Sequence, residues 1–314
     1  MSDALSQPTE SNDSSHLDER GALATPAPSL NVSEDTTDPG GASRHDTPLL
    51  QLVGVTKRFG GLAAVNDLSF SLQNGEILGV IGPNGAGKST MVNLIGGSMA
   101  PTSGAIFYQG HDINRLPPNR RAHLGIVRTF QITQPFMGLD VRENVMVGAF
   151  FGQRGLDRAR ALHFADEVLE RVNLAHKAAF KGDQLTIADR KRLEMARALA
   201  TNPQLLLLDE VMAGLTATEV AQAVELIRQI NKTGVTVLVI EHIVRAIANV
   251  SNRILVLHHG RKIAEDKPSQ VLSDPRVIEA YLGERYAKKR IQEDSGVSSI
   301  TLENLPQSQN GEDR

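Results

Sequence analysis

The chain has 314 residues, of which 40% are hydrophobic, and its 33 basic and 36 acidic residues give a formal net charge of −3. This near balance gives no global reason to expect nucleic acid as a partner, and the absence of cysteine excludes disulfides and Cys-ligated metal sites. The longest uninterrupted apolar runs, at 205–208 and 237–240, are far shorter than the ~20 residues of a bilayer span, so we expect any link to a membrane to come through a partner.

The two ends of the chain have the composition of disordered tails. Residues 1–46 are rich in Ser, Thr, Pro, Gly and Asp, and their charged side chains are mostly acidic. Such a segment buries too little apolar surface to offset the entropy lost on ordering, so we predict a disordered acidic tail. We predict a second disordered tail at 285–314, which leaves residues 47–284 as one folded domain.

Apolar runs indicate two kinds of strand. The runs at 50–55 and 68–72 predict early strands of an antiparallel sheet, and the run at 76–81 predicts a strand that leads into a Gly-rich turn. Later runs at 205–208 and 235–240, and a further one at 254–257, are typical of strands buried on both faces of a parallel sheet.

Residues 135–200 have a helical pattern instead. Leu162, Ala165, Val168 and Leu169 recur at helical spacing, which predicts a helical subdomain inserted in the core. The fold class that follows is α/β: a parallel-sheet core, an N-terminal antiparallel β-subdomain and an inserted helical subdomain.

The Gly-rich turn matches the phosphate-binding pattern G-x-x-x-x-G-K-[ST] at every fixed position, between a predicted strand and a predicted helix. Its glycines let backbone N–H groups curl around phosphate oxygens, and the following helix points its positive end at the same charge. We expect Lys88 to reach the β- and γ-phosphates of a nucleotide and Ser89 to offer its hydroxyl to Mg²⁺. The predicted phosphate-binding residues are Gly82, Pro83, Asn84, Gly85, Ala86, Gly87, Lys88, Ser89 and Thr90.

Two carboxylates, Asp209 and Glu210, follow the apolar run at 205–208. The first can hold Mg²⁺ through water at the edge of the sheet, and the second can accept a proton from an attacking water. A strand-end acidic pair can also cap the next helix. The phosphate-binding loop upstream favours the catalytic interpretation.

Two further polar side chains have weaker individual signals. His242 follows the predicted strand 235–240, where α/β folds place ligands, although a lone histidine is more often structural. Gln131 carries a neutral amide that can contact Mg²⁺ or its water, or can simply be exposed.

Taken in order, these segments resemble the ATP-binding subunit of ABC transporters over about residues 48–283. The order is the phosphate loop, Thr-Phe-Gln, an amphipathic helix, Leu-Leu-Leu-Leu-Asp-Glu and Ile-Glu-His. Within this family the chain is most similar to the branched-chain amino acid branch, in residues 59–70, 128–131 and 277–283. The resemblance implies that the chain binds and hydrolyses ATP with Mg²⁺.

The resemblance also implies roles for single residues. Gln131 becomes a Mg²⁺ ligand and the glutamine of the Q-loop, and His242 becomes the switch histidine near the γ-phosphate. Asp209 becomes the carboxylate on the Mg²⁺ side, and Glu210 becomes the general base. Phe59 falls where the family places an aromatic ring against adenine, a contact that needs only a flat apolar face.

The sequence departs from the family in the segment that usually reads Leu-Ser-Gly-Gly-Gln, which here is Leu-Thr-Ile-Ala-Asp at 185–189. Thr186 keeps a hydroxyl donor for a partner's nucleotide. Thr-x-x-Asp before a helix resembles a capping box, so we predict that Asp189 turns back to its own backbone. Val211 and Thr216 replace a proline and an aspartate of the family. The hydrolytic residues are intact, so we expect activity.

Three hypotheses about function follow. The first is an ATPase subunit that powers an importer of branched-chain amino acids or related solutes. The others are a soluble non-transport ABC ATPase and a subunit that binds ATP without hydrolysing it. For the importer, the expected partners are transmembrane permease subunits, a second identical or related ATPase subunit and, indirectly, a substrate-binding protein. The expected location is cytoplasmic, peripheral on the inner face of the cell membrane.

Overall fold

The computed structural model describes residues 47–129, 135–136, 138–152 and 156–282. The predicted tails lie outside these residues, as does Gln131. The strands are β1 Leu50–Phe59, β2 Leu62–Leu72, β3 Ile77–Ile81, β4 Ser103–Tyr108, β5 His111–Asp112, β6 Ile126–Arg128, β7 Leu205–Asp209, β8 Thr236–Ile240, β9 Arg253–His258 and β10 Arg261–Asp266. The helices are α1 Lys88–Gly96, α2 Pro118–His123, α3 Val141–Phe151, α4 Arg158–Arg171, α5 Ile187–Ala200, α6 Ala217–Lys232, α7 Val244–Val250, α8 Pro268–Ser273 and α9 Pro275–Leu282.

The N-terminal strands form an antiparallel sheet in the order β2-β1-β4-β5, which confirms the prediction for this part of the chain. Its first hairpin is longer than the apolar runs indicated, because β1 continues to Phe59 and β2 begins at Leu62. Gly60 makes the tight turn between them with φ of 56°. The outer end of this hairpin is exposed, including the apolar side chains of Phe59 and Leu62, so a buried-face periodicity could not reveal it.

The central sheet has the order β10-β9-β3-β8-β7-β6, and every neighbouring pair from β9 to β6 is parallel. Strand β7 is buried along its whole length, and its side chains alternate between two cores. Leu206 and Leu208 belong to the hydrophobic cluster that includes side chains of α3–α9. Leu205 and Leu207 belong to the cluster that includes side chains of α1 and of the antiparallel sheet. The α/β fold class is therefore confirmed. Among the described residues, no helix has the length and apolarity to cross a bilayer.

Helices α3, α4 and α5 pack against one another. The N-terminus of α3 has a capping box, in which Asp140 accepts the Glu143 N–H and the Glu143 carboxylate accepts the Asp140 N–H. The apolar face of α4 is buried through Ala165, Val168 and Leu169, as the helical spacing predicts. These side chains belong to the same hydrophobic cluster as Leu206 and Leu208 of β7, so the inserted helices share a continuous core with the sheet that carries the candidate site.

Arg121 is 1% exposed, and its guanidinium lies at the C-terminal end of α1. It donates to the carbonyls of Leu94 and Ile95 at 2.6 and 2.8 Å, and to those of Leu116 and Ile113 at 2.9 and 2.7 Å. Burial lowers the pKa of Arg121 to about 10, so the side chain remains a cation at neutral pH. A positive charge is thus fixed at the negative end of the helix dipole.

Candidate active site

The phosphate-binding loop lies between β3 and α1, and two of its glycines are required by close backbone contacts. A Cβ at Gly82, where φ is 153°, would lie 2.2 Å from the Leu257 carbonyl oxygen. A Cβ at Gly87, where φ is 103°, would lie 2.3 Å from the Ala64 carbonyl oxygen. Both distances are shorter than real contacts, so side chains cannot be accommodated. At these two positions the loop therefore consists of backbone alone, which lets N–H groups approach a phosphate closely.

The turn between β9 and β10 holds this loop in place. Gly260 donates its N–H to the Ala86 carbonyl at 2.9 Å and accepts the Asn66 N–H at 2.8 Å. Gly85 and Asn84, at the tip of the loop, are exposed, and so is Ser89 in the first turn of α1. The loop thus has a fixed base and an open tip.

The side chain of Lys88 is 7% exposed and its Nζ donates to the carbonyls of Gly82 and Pro83 at 2.6 and 3.0 Å. Burial lowers the pKa of Lys88, and the negative charges of Glu210 and Asp209 only partly oppose this effect. In addition, the N-terminus of α1 has no side-chain cap and no acidic residue in its first turn. A buried ammonium beside an uncapped helix N-terminus fits an anionic phosphate group.

Asp209 ends β7 and is 1% exposed. Its Oδ2 accepts a hydrogen bond from Arg128 Nη2 at 2.8 Å, and its backbone N–H donates to Thr129 Oγ1 at 3.3 Å. Arg128 also donates to Asn93 on α1. Residues 128–129 therefore orient a carboxylate that has the oxygen chemistry Mg²⁺ prefers. Sequence reasoning missed Arg128, because only the pairing of β6 with β7 brings it to Asp209.

Glu210 and His242 lie at the ends of the neighbouring strands β7 and β8, and the structure brings their side chains together. His242 Nε2 lies 2.6 Å from Glu210 Oε1. The Glu210 side chain is 17% exposed and that of His242 is 45% exposed, so the pair opens to solvent on the histidine side. A carboxylate in contact with an imidazole can accept a proton and be held in one orientation while doing so.

Glu241 is a second buried carboxyl that sequence reasoning did not single out. It is 1% exposed, and its Oε1 accepts the Met212 N–H at 2.6 Å. Burial raises the pKa of Glu241 to about 7, against the opposing effect of the hydrogen bonds that it accepts. Its carboxyl fixes the chain just after Glu210. The sequence signal that could have identified Glu241 is an acidic residue directly after the apolar run of the buried strand β8.

The segment 185–189 differs in detail from the predicted capping box. Thr186 caps α5 and accepts the Asp189 N–H at 3.2 Å, as expected. The Asp189 carboxylate, however, accepts from the Thr186 hydroxyl at 2.8 Å and from Lys177 Nζ at 2.5 Å, not from the Thr186 backbone. Although burial alone would raise the pKa of Asp189, the hydrogen bonds from Lys177 and Thr186 outweigh it and lower this pKa. The hydroxyl proton of Thr186 is thus already donated within the chain.

Three other positions discussed in the sequence analysis are Phe59, Val211 and Thr216, and each has contacts mainly with its immediate surroundings. Phe59 ends β1 with half of its surface exposed, and Lys57 Nζ lies 5.4 Å from the centre of its ring. Val211 is buried in the core, which accounts for an apolar residue after Glu210. Thr216 and Glu219 form a capping box at the start of α6, so the threonine has a structural role there.

Comparison with known protein families gives two matches. A family described as ABC transporter matches residues 65–213, and one described as branched-chain amino acid ATP-binding cassette transporter matches residues 261–287. The second match ends just beyond α9, so the two together span most of the described chain.

The chain is also similar to curated proteins along nearly their whole length. It is 39% identical to the high-affinity branched-chain amino acid transport ATP-binding protein LivG of Escherichia coli K12 over 251 residues, which cover 76% of this chain and 98% of that protein. The corresponding protein BraF of Pseudomonas aeruginosa is 37% identical with the same coverage.

Two solved structures have the same fold. An ATP-binding cassette of an ABC transporter in its ADP conformation is 31% identical, with a TM-score of 0.68, and the match covers 76% of this chain and 99% of that one. A dimeric cassette in a post-hydrolysis state with ADP and Pi is 29% identical, with a TM-score of 0.64, and the match covers 70% of this chain and 98% of that one.

Proposed function

The chain belongs to the family of ABC transporter ATP-binding proteins, and from this premise we propose that it hydrolyses ATP to drive import of branched-chain amino acids or closely related solutes. The LivG and BraF relatives are branched-chain amino acid transport proteins, and this fact and the match at residues 261–287 support this solute class. Those relatives are transport proteins, which favours the importer over the soluble non-transport ATPase.

The contact between Glu210 and His242 is the observation that carries the hydrolytic part of the proposal. The carboxylate lies at the end of β7 with His242 Nε2 2.6 Å from it. In the proposed reaction Glu210 takes a proton from water as the water oxygen bonds to the γ-phosphorus. The bond from that phosphorus to the bridging oxygen breaks, giving ADP and phosphate. His242 holds the carboxylate in place, and Lys88 holds the phosphates.

The oxygen donors of Ser89 and Asp209 fit Mg²⁺, together with Gln131, which lies outside the described residues. Bound there, the ion would neutralise phosphate charge during hydrolysis. Nucleotide contacts are proposed for Phe59 and the loop 82–90. The Thr186 hydroxyl could reach a partner's nucleotide only by giving up its hydrogen bond to Asp189.

We propose that the working assembly contains a second ATPase subunit, identical or related, and transmembrane permease subunits. The dimeric cassette with ADP and Pi supports the ATPase pair. A substrate-binding protein would act indirectly, by delivering solute to the permease. The chain would then be cytoplasmic and peripheral on the inner face of the membrane, without a nucleic-acid partner.

The variant Glu210→Gln tests the hydrolytic proposal. It keeps the shape and one oxygen of the side chain but removes the basic carboxylate, so ATP still binds. Because positioned general bases contribute about 10²–10⁴-fold, we expect turnover at least about a hundredfold slower. We also expect the ATP-bound dimer to accumulate, which size-exclusion chromatography with and without Mg-ATP measures.

The matched control is Glu225→Gln, which makes the same chemical change at an exposed position on α6. It should leave turnover and dimer size unchanged. A fully active Glu210→Gln variant would place the base elsewhere. A wild-type protein that binds ATP in the assembled complex but does not hydrolyse it would instead favour the hypothesis of a non-hydrolysing subunit.

A further inference from the structure

The backbone at Glu210 has a conformation that non-glycine residues rarely adopt, with φ of 53°. A side chain in this left-handed region is strained and persists only where neighbouring contacts hold it. Here the Glu210 N–H donates to the Ile240 carbonyl at 3.0 Å, and the Ala213 N–H donates to the Glu210 carbonyl at 3.3 Å. The direction of the Glu210 side chain therefore depends on what holds its two peptide groups.

A further donor to the same carbonyl comes from a different element. Lys191 Nζ, on α5, donates to the Glu210 carbonyl at 3.0 Å. The side chain is partly buried, and its ammonium makes a charge-assisted bond, which is roughly twice as strong as a neutral one. This bond is shorter than the one from Ala213, so Lys191 is well placed to fix the peptide that follows Glu210.

Helix α5 also carries the segment in which this sequence departs from its family. Its N-cap is Thr186, and Asp189 in its first turn is held by Lys177 and the Thr186 hydroxyl. Lys191 follows in the next turn. A single rigid helix thus connects the segment 185–189 with the backbone of Glu210.

We infer that Lys191 is a positioning residue for Glu210 and ties the orientation of the general base to the position of α5. This inference rests on the proposed function, in which Glu210 accepts the proton, a second ATPase subunit is present, and Thr186 is the candidate contact to that partner's nucleotide. A shift of α5 on contact with the partner moves the ammonium of Lys191 and, through it, the Glu210 carbonyl. Contact at one surface of the subunit is thereby coupled to alignment of the base in its own site.

Lys191→Met tests the inference, since it keeps an unbranched side chain that reaches to Cε and removes the donor. We expect kcat to fall by about tenfold or more, because a displaced base loses part of the 10²–10⁴-fold that a positioned one contributes. ATP affinity measured by calorimetry should stay within about twofold, since Lys88 and the phosphate loop are unchanged. Lys191→Arg, which keeps a charged donor, should recover most of the loss.

A double-mutant cycle separates positioning from general damage to the fold. In a Glu210→Gln background the base is already lost, so Lys191→Met should lower the residual rate by less than about twofold. Arg190→Met is the matched control: Arg190 lies next to Lys191 on the same helix, and its Nη2 donates to a different carbonyl, that of Asp183, at 3.3 Å. This control should keep nearly wild-type turnover.

Three results would overturn the inference. They are wild-type kcat in Lys191→Met, an equal loss of rate in both backgrounds, and a loss of ATP affinity parallel to the loss of rate. If Lys191→Met fails to fold, Lys191→Gln is measured in the same cycle against the same criteria. A wild type without ATPase activity would overturn the proposed function as well, whereas an active wild type that is insensitive to Lys191 would overturn this inference alone.

Discussion

The buried carboxyl of Glu241 should make the stability of the protein depend on pH. Its pKa is about 7 in the folded chain, against 4.5 for an ordinary glutamate, because burial disfavours the charged form. The folded state therefore holds this proton more tightly than the unfolded state. The resulting stability is fully present below pH 4.5 and is lost as pH rises through about 7.

The size of this effect follows from the difference between the two pKa values. Each pKa unit corresponds to about 1.4 kcal/mol, so the carboxyl accounts for a loss of up to about 3 kcal/mol between acid and mildly alkaline pH. Glu241→Gln removes the charge but keeps an oxygen that can accept the Met212 N–H. We expect the variant to gain stability relative to wild type at pH 8, and to gain much less at pH 5.

Urea unfolding of both chains at pH 5 and pH 8 measures this difference directly. Glu225→Gln removes an exposed carboxylate and controls for the change in net charge. An equal effect of Glu241→Gln on the free energy of unfolding at both pH values would refute the reasoning. It would mean that the Glu241 carboxylate is charged in the folded state without any loss in the free energy of unfolding.

Two further predictions concern nucleotide and partner binding. Lys88→Ala removes the buried ammonium next to the Gly82 and Pro83 carbonyls, so ATP affinity should fall and turnover should stop; unchanged affinity by calorimetry would contradict the phosphate-loop assignment. Phe136, 43% exposed with Arg197 4.4 Å from its ring, is a candidate contact for the permease, so Phe136→Asp should weaken association with membrane subunits and spare ATP binding. Loss of folding by circular dichroism would instead show that Phe136 is a core residue. We expect Met137→Asp, at the next residue in the chain, to act in the same way; Met137 lies outside the described residues.

The sequence predicted best what depends on local pattern. Strands β7 and β8 are buried on both faces of the sheet, and apart from Asp209 and Thr236 they contain only apolar residues, so they could be recognised from composition alone. The phosphate loop was equally clear, because the steric demands on Gly82 and Gly87 leave only glycine possible.

Contacts between distant parts of the chain could not be predicted in the same way. Arg128 reaches Asp209 only through the parallel pairing of β6 with β7, and nothing in its local sequence indicates that register. Asp189 has the spacing of a capping box, but Lys177, from a short 3₁₀ turn upstream, competes for its carboxylate. In both cases a basic side chain from another part of the chain determines the hydrogen bonds of the carboxylate. The tertiary structure determines which charged side chains meet.

The position of Arg121 has a consequence for the opposite end of α1. Its guanidinium neutralises the negative pole of the helix inside the protein, while the positive pole at Gly87 has no cap. The helix therefore presents an unbalanced positive field to the loop before any nucleotide arrives, and little reorganisation is needed when the phosphates bind. Affinity for phosphate can thus be tuned from the far end of a helix of 9 residues, by a side chain that never contacts the ligand.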